Sequence, residues 1–96
     1  MGMRIVIADL DGTLSDYGHR KHLYKERDYD AFNKAGKNDK PIENICNILR
    51  ALDRQETEIV VMTARSSDNR PATQEWLRLN DVPCDRLIMR PVGDQS

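Results

Sequence analysis

The chain has 96 residues, which is enough for one small domain. Hydrophobic residues make up 39% and charged residues 32% of the chain. The net charge of −1 excludes bulk electrostatic attraction to nucleic acid or membranes, so contact with a polyanion needs a local basic cluster. The sequence has neither an apolar run of the ~18 residues that a membrane span needs nor a signal-peptide apolar region, so we predict a cytoplasmic protein with no membrane partner.

The first third of the chain predicts a strand followed by a charged insertion. Arg4–Asp9 is a β-branched run typical of a strand buried on both faces of a parallel sheet. Residues 10–17 contain Gly12 and small polar side chains, so we expect a loop there. Residues 18–40 are rich in charge and predict a small insertion over the end of this strand, with one short helix over 29–35.

A clear helix follows the insertion. Asp39 can cap it and Pro41 can occupy its first turn. Its apolar residues recur at helical spacing, as expected for a helix with one buried face: Ile42, Ile45, Leu49 and Leu52.

The rest of the chain predicts a strand over 57–62, a loop over 64–70, a helix opened by Pro71, and a strand over 85–89. Alternation of strands and helices indicates a parallel sheet with crossover helices. The fold class is therefore α/β, a Rossmann-like three-layer architecture with three predicted parallel strands.

Polar residues follow each predicted strand at its carboxyl end, where ligands bind in such sheets. They lie in residues 9–14, 63–66 and 90–94. Asp9 and Asp11 are two carboxylates that suit a divalent cation and a division of labour between nucleophile and proton donor. Gly12 allows a sharp turn beside a ligand. The alternative is a solvated Asp-Gly turn without chemistry.

Two segments resemble the signatures of the haloacid dehalogenase superfamily. IVIADLDGTL resembles the first signature and VVMTAR the second. The resemblance implies that Asp9 is the nucleophile that becomes an aspartyl-phosphate and that Asp11 is the acid/base. It also implies that magnesium (Mg2+) is the cofactor, held by the Asp9 carboxylate and the Asp11 backbone carbonyl. The phosphate-binding residues that it implies are Thr63, Ala64, Arg65, Gly12 and Thr13.

A closer resemblance is to the 3′-phosphatase domain of phage-type polynucleotide kinase-phosphatases. It rests on Arg20, eleven positions after Asp9, on Arg65, two after Thr63, and on the Arg90…Asp94 stretch. The resemblance implies that the two arginines hold the substrate phosphate and that Arg20 and Asp94 bind substrate. A planar guanidinium can grip a phosphate with two hydrogen bonds, which suits this role. Arg20 is also compatible with a solvated helix face.

The resemblance leads us to expect a partial phosphatase domain over 1–96. The kinase signature, a Gly-x-x-x-x-Gly-Lys-Ser/Thr loop, does not occur in these residues. The third-signature Lys and the acidic pair of the fourth signature would fall after Ser96, so we expect the metal to keep one carboxylate and more waters. The first strand would then be an apolar sheet edge, so we predict that the 96-residue chain either self-associates through this strand or is unstable.

Three functions follow as expectations. The first is a magnesium-dependent phosphomonoesterase that removes 3′-phosphates from nucleic-acid ends. The second keeps the mechanism but acts on mononucleotides or small phosphate esters. The third is a catalytically dead module that binds phosphorylated ends or a partner.

Overall fold

The computed structural model describes residues 4–91 of the chain. Five strands are present: β1 (Arg4–Asp9), β2 (Ser15–Asp16), β3 (Lys40–Pro41), β4 (Thr57–Ser66) and β5 (Arg86–Arg90). Four α-helices are present: α1 (Lys21–Lys25), α2 (Tyr29–Lys34), α3 (Glu43–Asp53) and α4 (Arg70–Leu79). Short 3-10 turns lie at Gly18–Arg20, Ala35–Asn38 and Ser67–Asn69.

The main sheet has three strands in the order β1-β4-β5, and both pairings are parallel. Asp9 is opposite Met62, and Thr63 is opposite Met89, so the carboxyl ends of the strands share one edge. The predicted α/β architecture with three parallel strands is confirmed. Within residues 4–91, β1 pairs only with β4 and is an edge strand.

The core lies between the sheet and the two long helices. Ala8, Ile59 and Val61 point from the sheet into it, and Cys46 and Leu49 of α3 with Trp76 and Leu77 of α4 cover them. Burial of such apolar side chains stabilises the fold by about 1.5–3 kcal/mol each. The sheet is one layer, and α3 and α4 together are a second. The part of the chain that the structure describes thus forms two of the predicted three layers.

The opposite face of the sheet is apolar, and among residues 4–91 several of its side chains are exposed. Ile5 and Ile7 of β1 are 60% and 63% exposed, and Met62 and Ile88 on the neighbouring strands are about two-fifths exposed, at 41% and 40%. Strand alternation places these four side chains on one face, because Ile5, Ile7 and Asp9 alternate with the core residues and Asp9 is opposite Met62.

A second, two-stranded sheet fixes the base of the insertion. Ser15 of β2 pairs with Pro41 of β3 in antiparallel fashion, and the Ile42 N–H donates to the Leu14 carbonyl at 2.8 Å. Residues 18–40 therefore leave and return at the same place. This pairing brings the beginning and the end of the insertion together beside the carboxyl end of β1.

Several details of the helices and strands differ from the sequence prediction. Helix α3 begins at Glu43 because Ile42 is extended (φ −85°, ψ 93°), so Pro41 lies in β3 and Asp39 does not cap the helix. Strand β4 continues through Ser66, where a loop was expected, because Ser66 pairs with Arg90 after a register shift. Two short helices rather than one lie within the insertion.

No helix among the described residues is long and apolar enough to cross a membrane.

Candidate active site

The two carboxylates of the Asp-Leu-Asp segment lie in different environments. Asp9 is the last residue of β1 and is exposed. Within residues 4–91 its carboxylate makes no ion pair and accepts no hydrogen bond from a side chain. The side chain of Asp11 is only 26% exposed and is the centre of a hydrogen-bonded cluster. Asp9 is thus available to a ligand, whereas Asp11 is already engaged.

Two guanidinium groups converge on Asp11. Nη2 of Arg65 donates to Oδ1 at 2.6 Å, and its Nε lies 3.2 Å from both carboxylate oxygens. Nη2 of Arg20 donates to Oδ1 at 2.7 Å. The hydroxyls of Thr63 and Ser15 add longer contacts of 3.4 Å each. The structure therefore brings Asp11, Arg20, Thr63 and Arg65 together, whereas the Asp9 carboxylate makes no hydrogen bond or ion pair with these side chains.

The extension of β4 explains why Thr63 and Arg65 reach Asp11 together. Alternate residues of a strand share a face, and both side chains are buried on the core side of the sheet. The Arg65 N–H donates to the Thr63 hydroxyl at 3.1 Å, which fixes the two residues relative to each other. Ala64, predicted to bind phosphate, lies between them and is exposed, which is the position expected for the opposite face.

The Arg20 side chain is fully buried, which excludes the solvated helix face considered from the sequence. Nη1 donates to the Phe32 carbonyl at 3.0 Å, and Cζ lies 4.2 Å from the centroid of the Phe32 ring. A cation above an aromatic face is stabilised by the ring quadrupole. Phe32 thus packs on the guanidinium from the insertion side.

Asp39 is the second carboxylate of the cluster, and the sequence did not predict it as a site residue. Its oxygens accept hydrogen bonds from Nε and Nη2 of Arg20, both at 2.8 Å, and from Nη2 of Arg65 at 3.3 Å. Nε2 of His19 lies 2.7 Å from Oδ1. Two arginines and two aspartates therefore form one compact, charge-balanced network.

Gly36 and Thr73 complete the surroundings of Arg65, and neither was predicted. A Cβ atom on Gly36 would lie 2.9 Å from Nη1 and 3.1 Å from Cζ of Arg65, so a larger residue there would require the guanidinium to shift. The Thr73 hydroxyl is 3.5 Å from Nη1. The sequence offers no signal for either contact, because both depend on how the insertion and α4 pack.

The arginines control the ionisation of Asp11. Burial raises the pKa of this carboxyl, but the hydrogen bond and charge of Arg65, and then those of Arg20, outweigh burial and hold the pKa of Asp11 below its ordinary value. Asp11 is therefore an anion in this arrangement. A proton donor would need a higher pKa, so Asp11 must leave the arginines before it can act as an acid.

Gly12 and Thr13 form the turn after Asp11. Gly12 has φ of +83°, a conformation that favours glycine. Its N–H donates to the Ser15 carbonyl at 2.9 Å, and the Thr13 N–H is 3.3 Å from the Leu10 carbonyl. Both amides predicted to bind phosphate are thus used within the turn. Asp94, the other predicted substrate-binding residue, lies outside the described residues.

The site meets part of what a magnesium ion needs. No group of three or more His, Cys, Asp or Glu that could hold a metal occurs among residues 4–91. Magnesium usually keeps several waters and takes one or two carboxylates together with phosphate oxygens. The unpaired Asp9 carboxylate fits this pattern as a ligand, whereas the Asp11 carboxylate is committed to arginine.

Three comparisons relate the chain to known proteins. The model of one family, the polynucleotide kinase PNKP phosphatase domain, matches residues 3–96. A comparison with curated protein sequences finds no match.

Solved structures give the fold. A chain of the Pnkp1/Rnl/Hen1 complex superposes with a TM-score of 0.79 at 22% identity, covering 98% of this chain and 30% of that one. A chain of the Pnkp1/Rnl/Hen1 RNA repair complex gives 0.75 at 21% identity, covering 98% and 27%. A crystal structure of a Vibrio cholerae protein gives 0.63 at 26% identity, covering 91% and 69%. This chain thus spans less than a third of the length of the first two.

Proposed function

Because the chain belongs to the polynucleotide kinase PNKP phosphatase domain family, we propose that it hydrolyses phosphate monoesters at nucleic-acid 3′ ends through an aspartyl-phosphate formed on Asp9. One observation supports this best. Arg20 and Arg65 converge at 2.7 and 2.6 Å on a single anionic group at the carboxyl edge of the sheet. Planar cations arranged in this way suit a phosphate dianion as well as a carboxylate.

The substrate phosphate would replace the Asp11 carboxylate between the arginines. The Nε and Nη2 groups of Arg65 form the edge that a phosphate would use, and in the structure this edge is occupied by Asp11. Displacement removes the cationic partners that lower the pKa of Asp11, and the negative charge of the phosphate raises it. Substrate binding would therefore allow the displaced Asp11 to take up a proton from solvent and to donate it to the leaving group.

The reaction then has two displacements. A carboxylate oxygen of Asp9 attacks phosphorus, the phosphorus–oxygen ester bond breaks, and the departing 3′ oxygen takes the proton of Asp11. In the second step water attacks phosphorus of the aspartyl-phosphate, and Asp11 takes a proton from that water. The bond between Asp9 and phosphorus breaks, which releases inorganic phosphate and regenerates the Asp9 carboxylate. Arg20 and Arg65 would hold the phosphoryl oxygens during both steps, which is most of the catalytic task in phosphoryl transfer.

Magnesium is the cofactor that suits this site. The Asp9 carboxylate and the Asp11 backbone carbonyl would hold it, and when bound it would neutralise charge on the phosphoryl group. With these two ligands from the described part of the chain, we expect weak binding that depends on substrate oxygens and water.

A nucleic-acid strand is the preferred substrate class. Residues 18–40 carry seven Lys and Arg against four Asp and Glu, although the whole chain has a net charge of −1. The insertion beside the site is thus a local basic cluster that could contact a phosphodiester backbone. The RNA repair complex among the structural neighbours makes RNA 3′ ends the first substrate to test. A cytoplasmic location and a role for Asp94 remain part of the proposal on sequence grounds.

Phosphate release from defined ends tests the proposal. The substrates are 3′-phosphorylated RNA and DNA oligonucleotides, the same oligonucleotides with 5′-phosphate, and a 3′-mononucleotide, each with and without magnesium. We expect release from 3′-phosphorylated strands only with magnesium, and a loss on the order of 10³ or more in Asp9→Asn. Equal release from the mononucleotide would favour a small-molecule phosphatase instead. Unchanged activity in Asp9→Asn would exclude the mechanism.

A non-catalytic end-binding module is the second candidate. It is favoured by the engagement of Asp11 with both arginines and by the lack of a three-donor metal group among the described residues. Binding of 3′-phosphorylated RNA without any turnover, equal in the wild type and Asp9→Asn, would support it.

The predicted self-association through β1 is supported by its position at the sheet edge and by the exposure of Ile5 and Ile7. A second copy would cover apolar surface that the described residues leave open.

A further inference from the structure

Asp39 is the more deeply buried of the two carboxylates in the arginine cluster. Its side chain is completely buried, with an exposure of 0%, whereas that of Asp11 is 26% exposed. Three different side chains contact its oxygens, those of Arg20, Arg65 and His19.

The main chain of Asp39 is fixed as well. Its N–H donates to the Gly36 carbonyl at 3.1 Å, and its carbonyl accepts a 2.8 Å hydrogen bond from Nε1 of Trp76. Trp76 is a buried core residue of α4. The main chain of Asp39 is therefore tied directly to the packed helical layer.

We propose that Asp39 is a positioning residue that holds both guanidinium groups in the orientation that receives the substrate phosphate. This inference rests on the proposed function. Arg20 grips Asp39 with Nε and Nη2 and still directs a hydrogen of Nη2 toward Asp11. Arg65 contacts Asp39 through Nη2 alone and keeps its Nε–Nη2 edge facing Asp11.

The difference between the two carboxylates decides which one the phosphate replaces. Asp11 follows a strand end, is partly exposed and can be reached from solvent. Asp39 is enclosed by both arginines, His19 and the insertion. An incoming phosphate therefore takes the place of Asp11, and Asp39 remains as the fixed counterion on the far side of the arginines.

Tungstate, a phosphate analogue that needs no turnover, provides the test. Its affinity for the full chain is measured by calorimetry in the wild type, in Asp39→Asn and in a matched control, Asp85→Asn. Asp85 accepts the Ile59 N–H at 2.7 Å, so the control removes a structural carboxylate without touching the arginines.

The sign of the change separates positioning from charge. Asp39→Asn makes the cluster one unit more positive, so charge alone predicts equal or tighter tungstate binding. Lost positioning predicts binding that is weaker by about tenfold or more, because oriented guanidinium hydrogen bonds provide much of the affinity. We expect the weaker binding in Asp39→Asn and wild-type affinity in Asp85→Asn. Equal or tighter binding by a folded Asp39→Asn would overturn the inference.

A second variant covers the case in which Asp39→Asn does not fold. Trp76→Phe keeps the bulk of the ring and removes the donor to the Asp39 carbonyl, so we expect a roughly threefold loss of tungstate affinity. Wild-type affinity in Trp76→Phe would then contradict positioning. Failure of the wild type to bind tungstate at all would instead overturn the proposed function, and this inference with it.

Discussion

Nη2 of Arg65 donates a 2.6 Å hydrogen bond to Oδ1 of Asp11, which links the ends of β1 and β4 through an ion pair. An anionic ligand that binds Arg65 must compete with this carboxylate. We therefore predict that Asp11→Asn binds tungstate about tenfold more tightly than the wild type, because it removes the charge of the competitor. Calorimetry measures the change, and Asp16→Asn, an exposed aspartate of β2, is the control. Weaker binding in Asp11→Asn would contradict displacement of Asp11 by the ligand.

For tungstate affinity, the paired hydrogen-bond donors of Arg65 should matter more than its positive charge. Arg65→Lys keeps the positive charge but loses the paired Nε and Nη2 donors, so we predict about 10- to 100-fold weaker tungstate binding. The matched control is Arg50→Lys. Arg50 donates to the carbonyls of Asp81 and Asn80 at 2.9 and 2.7 Å, away from the site. Equal losses in the two variants would indicate a general folding defect instead.

The sequence predicts the site residues that lie at or just after the ends of the parallel strands. Asp11, Thr63 and Arg65 follow or end parallel strands, and parallel strands bring such residues to one edge. Asp39 carries no comparable signal. An aspartate two residues before a proline fits a helix start equally well, and only the path of the insertion brings it against Arg20.

Two other differences, the length of β4 and the separation of Asp9 from Asp11, have separate causes. The loop-like composition of residues 64–70 hid the extension of β4, because tertiary pairing of Ser66 with Arg90 overrides local preference. The two carboxylates of the Asp-Leu-Asp segment were interpreted as a pair that suits one divalent cation. In the structure Asp9 keeps the alternation of β1 and is exposed, while the turn after it takes Asp11 to the arginines.

Stability should depend on pH through Asp11. Burial raises the pKa of this carboxyl, but Arg65 and Arg20 lower it by more, so its folded pKa lies below the unfolded value of about 3.9. The stabilisation is complete above that unfolded value and is lost as pH falls through the lower folded pKa. We predict that urea unfolding free energy between pH 7 and 2 falls less steeply in Asp11→Asn than in the wild type. The control is Asp53→Asn at the exposed end of α3, and identical slopes in wild type and Asp11→Asn would argue against the ion pairs.

A side chain at position 36 should disturb the packing of the insertion against Arg65. Gly36→Ala puts a methyl group 2.9 Å from Nη1 of Arg65, whose guanidinium is already held by Asp11 and Asp39. We predict a loss of about 1–3 kcal/mol in unfolding free energy, measured in urea, together with weaker tungstate binding. Gly18→Ala is the comparison, because its Cβ would meet only one exposed oxygen of Asp16, at 3.1 Å. A Gly36→Ala variant as stable as the wild type would show that Arg65 moves freely, against the rigid network described above.

The open side of the sheet gives the last prediction. Ile7 of β1 is 63% exposed on an edge strand, and Ile48 on α3 is 54% exposed on a helix. Unpaired apolar edge strands associate with other chains, and a charged lysine on the edge opposes this. We therefore expect light scattering of the 96-residue chain to give a mass above that of a monomer. Ile7→Lys should restore the monomer with an unchanged circular dichroism spectrum. Ile48→Lys should leave the mass of the wild type unchanged. A wild-type monomer at every concentration tested, with the amides of β1 protected from hydrogen exchange, would show instead that this edge is stable alone.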